Sequence, residues 1–202
     1  MNPRVIKRFT TIMFIAVLLT GGVSLFHDSF FDRPAGDYET ERGDNLLSSG
    51  DYDDALEYFD KALKVSPNHR GAMMGRALVF IQTEQYDEAL AELDYMTGWL
   101  EKNVSPDDPT GRGVLAAAYA NRGIVRDRQG AHESALADYI KALQVDEESV
   151  SGPGLGYKIL YDPRPSTVRD RARYIYEQLK LPEKERLLRV PELDAESRMY
   201  KP

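Results

Sequence analysis

Gly50-Asp51-Tyr52-Asp53-Asp54-Ala55-Leu56 recurs 34 residues later as Glu84-Gln85-Tyr86-Asp87-Glu88-Ala89-Leu90. A third copy, Gly130-Ala131-His132-Glu133-Ser134-Ala135-Leu136, follows after a further 46. The same offsets align Gly43 with Ala77 and Gly123, Phe59 with Leu93 and Tyr139, and Ala62 with Met96 and Ala142. Agreement at that many aligned positions marks a repeat protein, in which each unit buries its apolar face against its neighbours.

Each unit reads as two short helices. Leu56, Phe59 and Leu63 in the first copy, and Leu136, Ile140 and Leu143 in the third, follow the i, i+3/i+4, i+7 spacing of one helix face. Turn signals, Ser49-Gly50-Asp51 and Gln129-Gly130, precede the second helix. Small residues at Gly43, Ala77 and Gly123, matched by Ala55, Ala89 and Ala135, suit two helix backbones in close approach. Tyr52, Phe59, Tyr86 and Tyr139 are expected to fill the space between neighbouring pairs.

On these residues the chain resembles the tetratricopeptide repeat family. The first unit carries Gly43, Gly50, Tyr52, Ala55, Phe59, Ala62 and Pro67, and the second Ala77, Tyr86, Ala89 and Leu93. The third carries Tyr119, Gly123, Gly130, Ala135, Tyr139 and Ala142. The tryptophan often found early in the first helix is missing, and Glu147 and Glu101 stand where a closing proline is usual. The resemblance implies an all-α, right-handed helical-hairpin array with units at 36–69, 70–103 and 116–149. The insertion at 104–115 is expected to lengthen two helices around a loop near Asn103–Asp107, with Asp108-Pro109 as an N-cap and first turn. It either packs locally or widens a binding edge.

Residues 150–202 change character. Ser151-Gly152-Pro153-Gly154-Leu155-Gly156 is a linker, without the Gly-Lys-Ser/Thr of a phosphate loop. A helix from an N-cap at Ser166 to about Lys180, with Val168, Ala172, Ile175, Tyr176 and Leu179 on one face, is expected to cap the array. Residues 1–35 are set apart by Arg4, Lys7 and Arg8 ahead of an apolar run from Phe9 to Phe26. About 18 residues give ~27 Å of helix, near the ~30 Å hydrocarbon core. With no small-x-small cleavage sequence evident, the run is expected to be an uncleaved single-pass anchor in the inner membrane, the alternative being a cleaved secretory signal. Basic residues before the run and Asp28 and Asp32 after it place the N-terminus in the cytoplasm and the repeats in a bacterial periplasm.

The 202 residues include 26 basic and 33 acidic side chains, a net charge of −7, which disfavours nucleic acid as a partner. Absent cysteine excludes disulfides, thiolate metal sites and thiol catalysis. His27, His69 and His132 lack ligand spacing, and no serine lies in a nucleophile elbow. Asp51, Asp53, Asp54 and Glu57 fall at a helix start, where they complement the dipole. No catalytic, cofactor-binding or metal residues are therefore assigned, and no cofactor is expected. The charge is uneven: residues 36–60 hold nine acids against Arg42, and 164–189 hold eight bases against four acids.

The resemblance further implies that the first helix of each pair lines a concave groove binding peptides or protein segments. By position the groove takes Thr40, Asp44, Leu47, Met74, Leu78, Ile81, Gln82, Asn121, Ile124, Asp127 and Arg128. Its apolar middle suits an apolar or amphipathic segment. The alternative is that Met74, Leu78 and Ile81 pack against neighbouring helices. Family members that clamp a terminal carboxylate use lysines and asparagines, where this chain has Thr40, Asp44, Gly75 and Ala117, with Asn121 retained. The expected function is a non-catalytic, membrane-held adaptor for a cell-envelope protein. The alternative is self-assembly of an acidic first repeat with a basic C-terminal end.

Overall fold

The computed structural model describes residues 6–18, 33–151 and 167–189. Its array consists of three helical hairpins, α1 (Asp37–Ser49) with α2 (Tyr52–Val65), α3 (Arg70–Gln82) with α4 (Tyr86–Asn103), and α5 (Pro109–Arg128) with α6 (His132–Asp146). A 3-10 turn (Glu148–Val150) follows α6, and α7 (Val168–Leu179) packs on it. No strand occurs among the described residues.

The repeated Gly/Glu-Asp/Gln/Ala turn has a backbone reason. Gly50, Glu84 and Gly130 all take left-handed φ values of 84°, 58° and 81°. Each closes its first helix with the same pair of bonds, as where Gly50 N–H donates to Leu47 O (3.2 Å) and Asp51 N–H to Leu46 O (2.9 Å). Glu84 and Gln85 repeat it onto Ile81 and Phe80, and Gly130 and Ala131 onto Asp127 and Arg126. This pair of hydrogen bonds satisfies the last carbonyls of the helix.

Small residues admit the aromatics as the alignment requires. The Phe59 ring is fully buried between Gly43 and Gly75. A Cβ on Gly43 would stand 2.6 Å from the ring and one on Gly75 2.3 Å, so neither position holds a side chain without displacing it. Tyr139 lies in the same way against Gly123. The buried stripe of α6 is Ala135, Asp138, Tyr139 and Ala142. Leu136 and Leu143 are half-buried, and Ile140, expected on the core face, is 43% exposed. On α7 the buried residues are Val168, Arg171, Ala172 and Ile175, whereas Tyr176 faces out. Its N-cap is Thr167, whose hydroxyl accepts from Asp170 N–H within a capping box. Ser166 lies outside the described residues.

Charged staples join the repeats. Arg76 on α3 reaches Asp60 of the preceding hairpin (2.8 Å) and Glu92 of its own (2.6 Å). Arg122, at the aligned position of α5, reaches Asp94 (2.8 Å) and Asp138 (2.7 Å). Burial opposes the charge on both guanidiniums, but their carboxylate partners outweigh it and hold both pKa values above the ordinary one. Arg42, aligned in the first hairpin, sits over the Tyr58 ring (5.9 Å).

The insertion packs locally. Asp108 accepts Gly111 N–H at 2.8 Å, capping α5, and pairs with Arg70 at 2.9 Å. The Gly111 amide, with help from Arg70, lowers its pKa. The lengthened start of α5 meets the end of α6, where Arg112 donates to Val145 O.

Among the described residues no helix is long and apolar enough to cross a membrane. Residues 6–18 are helical, with Phe9, Ile12, Phe14 and Val17 exposed. Residues 19–26 of the expected span lie outside the described residues.

Candidate functional site

The first helices form a layer of their own. α1 packs on α3 and α3 on α5, while α2, α4 and α6 make no comparable contact with one another. A layer touching along one side and spread on the other is curved, with the first helices on its inner side. This is the face to which sequence reasoning assigned the groove.

Burial corrects the expectation of an open apolar groove. Met74, Leu78, Ile81, Asn121 and Ile124 are all buried, none more than 4% exposed. Asn121 donates an N–H to Met74 Sδ at 3.3 Å, tying α5 to α3 across the inner layer. All nine residues from Gly113 to Asn121 are buried, so the middle of α5 is enclosed on every side. The apolar middle is therefore packed, and the accessible part of the predicted set is its rim. Gln82 is exposed, and Asp44 and Arg128 are half-buried, as is Leu47. Thr40 is buried and lies 3.3 Å from His69 Nδ1.

Both histidines in the array are structural. His69 is the N-cap of α3, accepting Ala72 N–H at 3.2 Å, with Nε2 2.7 Å from Asp37. His132 opens α6 and lies 3.0 Å from Asp127. Among the described residues no three His, Asp or Glu side chains are grouped to hold a metal.

Asp127, 7% exposed, sits among several partners. Besides His132, it accepts from Tyr139 O–H at 3.4 Å and from Arg171 at both oxygens, Nε to Oδ2 (2.6 Å) and Nη2 to Oδ1 (2.9 Å). Arg171 comes from α7, 44 residues away, and no local pattern pointed to it. The signal in the sequence was indirect: an arginine on the same helical stripe as Val168, Ala172 and Ile175 has to find a partner once that stripe is buried.

A second cluster joins α4, α5 and α6. Tyr119 O–H donates to Glu101, and Lys141 donates to the Tyr119 oxygen (3.1 Å) beneath its ring. Burial, then Glu101, raises the Tyr119 pKa, while the bond from Tyr119 lowers that of Glu101.

A family model described as tetratricopeptide repeat matches residues 40–97. The Spaghetti (RPAP3) first repeat domain, solved bound to the HSP90 peptide SRMEEVD, superposes with a TM-score of 0.53. The fold is that of tetratricopeptide repeats. That likeness is at 17% identity and covers 73% of this chain and 94% of the other. The Arabidopsis OM64 tetratricopeptide repeat domain gives 0.50 at 18% identity, covering 69% and 94%. In sequence, the RNA polymerase II-associated protein 3 of Xenopus tropicalis is 34% identical over 113 residues, 54% of this chain and 15% of that protein. The small glutamine-rich tetratricopeptide repeat-containing protein 2 of Mycosarcoma maydis is 29% identical over 104 residues, 52% and 26%. The matched stretch is thus about a quarter or less of either relative's length.

Tetratricopeptide repeat domains generally mediate protein–protein interaction, and nothing in these comparisons shows an enzymatic activity. An array of three hairpins, α1–α6, followed by a packed helix fits this fold.

Proposed function

We propose that this chain is a non-catalytic adaptor, held at a bacterial inner membrane by its N-terminal segment, whose repeats recruit a segment of a cell-envelope protein in the periplasm. The observation that carries the binding role is the single face shared by α1, α3 and α5, with an apolar stripe and a rim of Asp44, Gln82 and Arg128. Because the stripe is packed inside the array, the rim is where a partner engages. The segment recognised differs from the acidic-ended HSP90 peptide bound by the Spaghetti domain. Asp44 repels a carboxylate, and Gly75 and Ala117 offer no cation to hold one. An amphipathic segment with a basic residue is the better match.

The membrane reading is supported by Lys7 and Arg8 leading into a helical stretch whose apolar side chains are exposed on all sides. Lipid is the surrounding that such a stretch favours. A reporter fused after Pro202 tests the orientation: activity confined to the cytoplasm overturns it.

Photo-crosslinking from position 82 in native membranes tests the adaptor role. A discrete envelope protein should be captured, and Asp44→Lys should abolish capture while leaving the helical circular dichroism unchanged. Capture that survives Asp44→Lys refutes the rim as the docking edge. Met74→Glu is not a usable probe, since it places a charge in a closed interior.

Self-assembly is the second reading, favoured by the acids of the first repeat and the exposed Arg173, Lys184 and Arg189 at the other end. It requires a salt-dependent mass in sedimentation. A monomer at all concentrations removes it.

A further inference from the structure

We propose that the third repeat carries a socket for an arginine side chain, filled here by the chain's own Arg171, and that an arginine-bearing helical segment of the partner takes it by displacing α7. This rests on the adaptor reading and names what the partner presents.

The socket belongs to the repeat itself. Asp127 stands at the last turn of α5, on the inner layer, and His132 and Tyr139 orient its carboxylate from α6. Both orienting groups belong to α6 and not to α7. What α7 adds is the guanidinium, which places Nε and Nη2 on the two carboxylate oxygens at 2.6 and 2.9 Å. That paired geometry is specific to arginine; an ammonium meets a carboxylate as a point charge. With Arg171 5% exposed and Asp127 7%, the pair is removed from solvent, where its selectivity is greatest.

The occupant is built to be exchangeable. α7 has twelve residues, a length at which a helix is marginal on its own, so its order depends on docking. Its docked face consists of Val168, Ala172 and Ile175 beside Arg171, a small apolar patch around one buried charge. Among the described residues, Arg169 also pairs with Glu147 at the exposed edge, and residues 187–188 fold back along α7. There Tyr174 donates to Leu187 O (2.6 Å) and Arg171 to Leu188 O (3.0 Å). A partner helix with an arginine among small apolar residues offers the socket the same chemistry. The charge fits: Asp127 and Asp44 give the inner layer carboxylates to meet a basic segment.

Chemical rescue of the full chain tests the socket. Arg171→Ala should lower the thermal midpoint, and N-ethylguanidinium at millimolar concentration should restore it saturably, whereas ethylammonium should not. The double variant Arg171→Ala with Asp127→Asn should show no restoration. Equal responses to the two cations, or restoration in the double variant, overturn the proposal. Should Arg171→Ala fail to fold, a labelled peptide of residues 167–189 is titrated onto the unaltered chain. It should bind ~10-fold more tightly than the same peptide with Arg171→Lys. Equal binding of the two peptides, or none, overturns the socket. If crosslinking at position 82 captures no envelope protein while rescue succeeds, the adaptor reading fails and the socket stands.

Discussion

The packing of Phe59 makes a prediction whose sign depends on context. Gly75→Ala places a methyl 2.3 Å from the Phe59 ring, more than an ångström inside ordinary contact. The ring cannot retreat, because it is fully buried and Gly43 backs it on the next helix at similarly close range. Overpacking of this kind costs about 1–3 kcal/mol, and a ring held on both sides puts the cost at the upper end. Alanine in a helix gains ~1 kcal/mol over glycine, so the net loss should be about 2 kcal/mol. In a Phe59→Leu background the clash is relieved and only the propensity gain survives. Gly75→Ala should then stabilise by up to ~1 kcal/mol, a coupling of about 2–3 kcal/mol. Gly98 on α4 is the control, since a Cβ there meets nothing within 4 Å. Gly98→Ala should stabilise by ~1 kcal/mol in either background. Urea denaturation of the four chains closes the cycle. If Gly75→Ala is as benign as Gly98→Ala, or its effect is the same with and without Phe59, the packing argument is refuted.

Three further outcomes are expected. Glu84→Gly should stabilise by ~0.5–1 kcal/mol by relieving a left-handed backbone, whereas Gly130→Ala should destabilise by ~1 kcal/mol although its Cβ meets nothing; thermal melts read both signs. Arg122→Ala should cost about 2–3 kcal/mol in urea denaturation, less than the full loss of a buried pair because Arg126 still holds Asp138 at 2.8 Å. Asp108 has a folded pKa below its unfolded one, so its contribution is present above the ordinary carboxylate range and fades as pH falls through the folded value. The stability gap between the unaltered chain and Asp108→Ala should therefore shrink from pH 6 towards pH 3, and a constant gap would contradict the assignment.

How far the fold could be read from the sequence follows from where the constraints act. The left-handed turns, the Gly43 and Phe59 contact and the Asp108 cap are local or recur at a fixed offset, and they are visible in the chain itself. Face assignments on single helices were less secure. Ile140 and Tyr176 each lie one step from a buried neighbour, and a stripe drawn at 100° per residue admits either. The groove was legible as a set of positions and not as a surface. Met74, Leu78 and Ile81 occupy one side of α3 by register, but whether that side is open depends on packing that spacing does not encode. The Asp127–Arg171 pair was beyond reach for a related reason. Its members are 44 residues apart, and two opposite charges at that separation carry no signal until the fold brings them together.

The charged staples extend this reasoning to the length of the array. In each internal junction an arginine on the later first helix meets an acid on the earlier second helix, Arg76 with Asp60 and Arg122 with Asp94. At the aligned place in the third unit the acid is replaced by Ile140, which is 43% exposed. The first unit shows the complementary break, since no hairpin precedes Arg42 among the described residues and it lies over Tyr58 instead. A fourth hairpin docking on α6 through the same staple would therefore find no carboxylate for its arginine. The capping helix turns its buried arginine elsewhere, to Asp127 on the inner layer. Ile140→Asp should consequently leave α7 docked, with unchanged amide exchange over 168–179, because the capping contact is independent of the staple. Loss of protection in that variant would show that α7 docks as an ordinary repeat helix, and would remove the distinction on which the arginine socket depends.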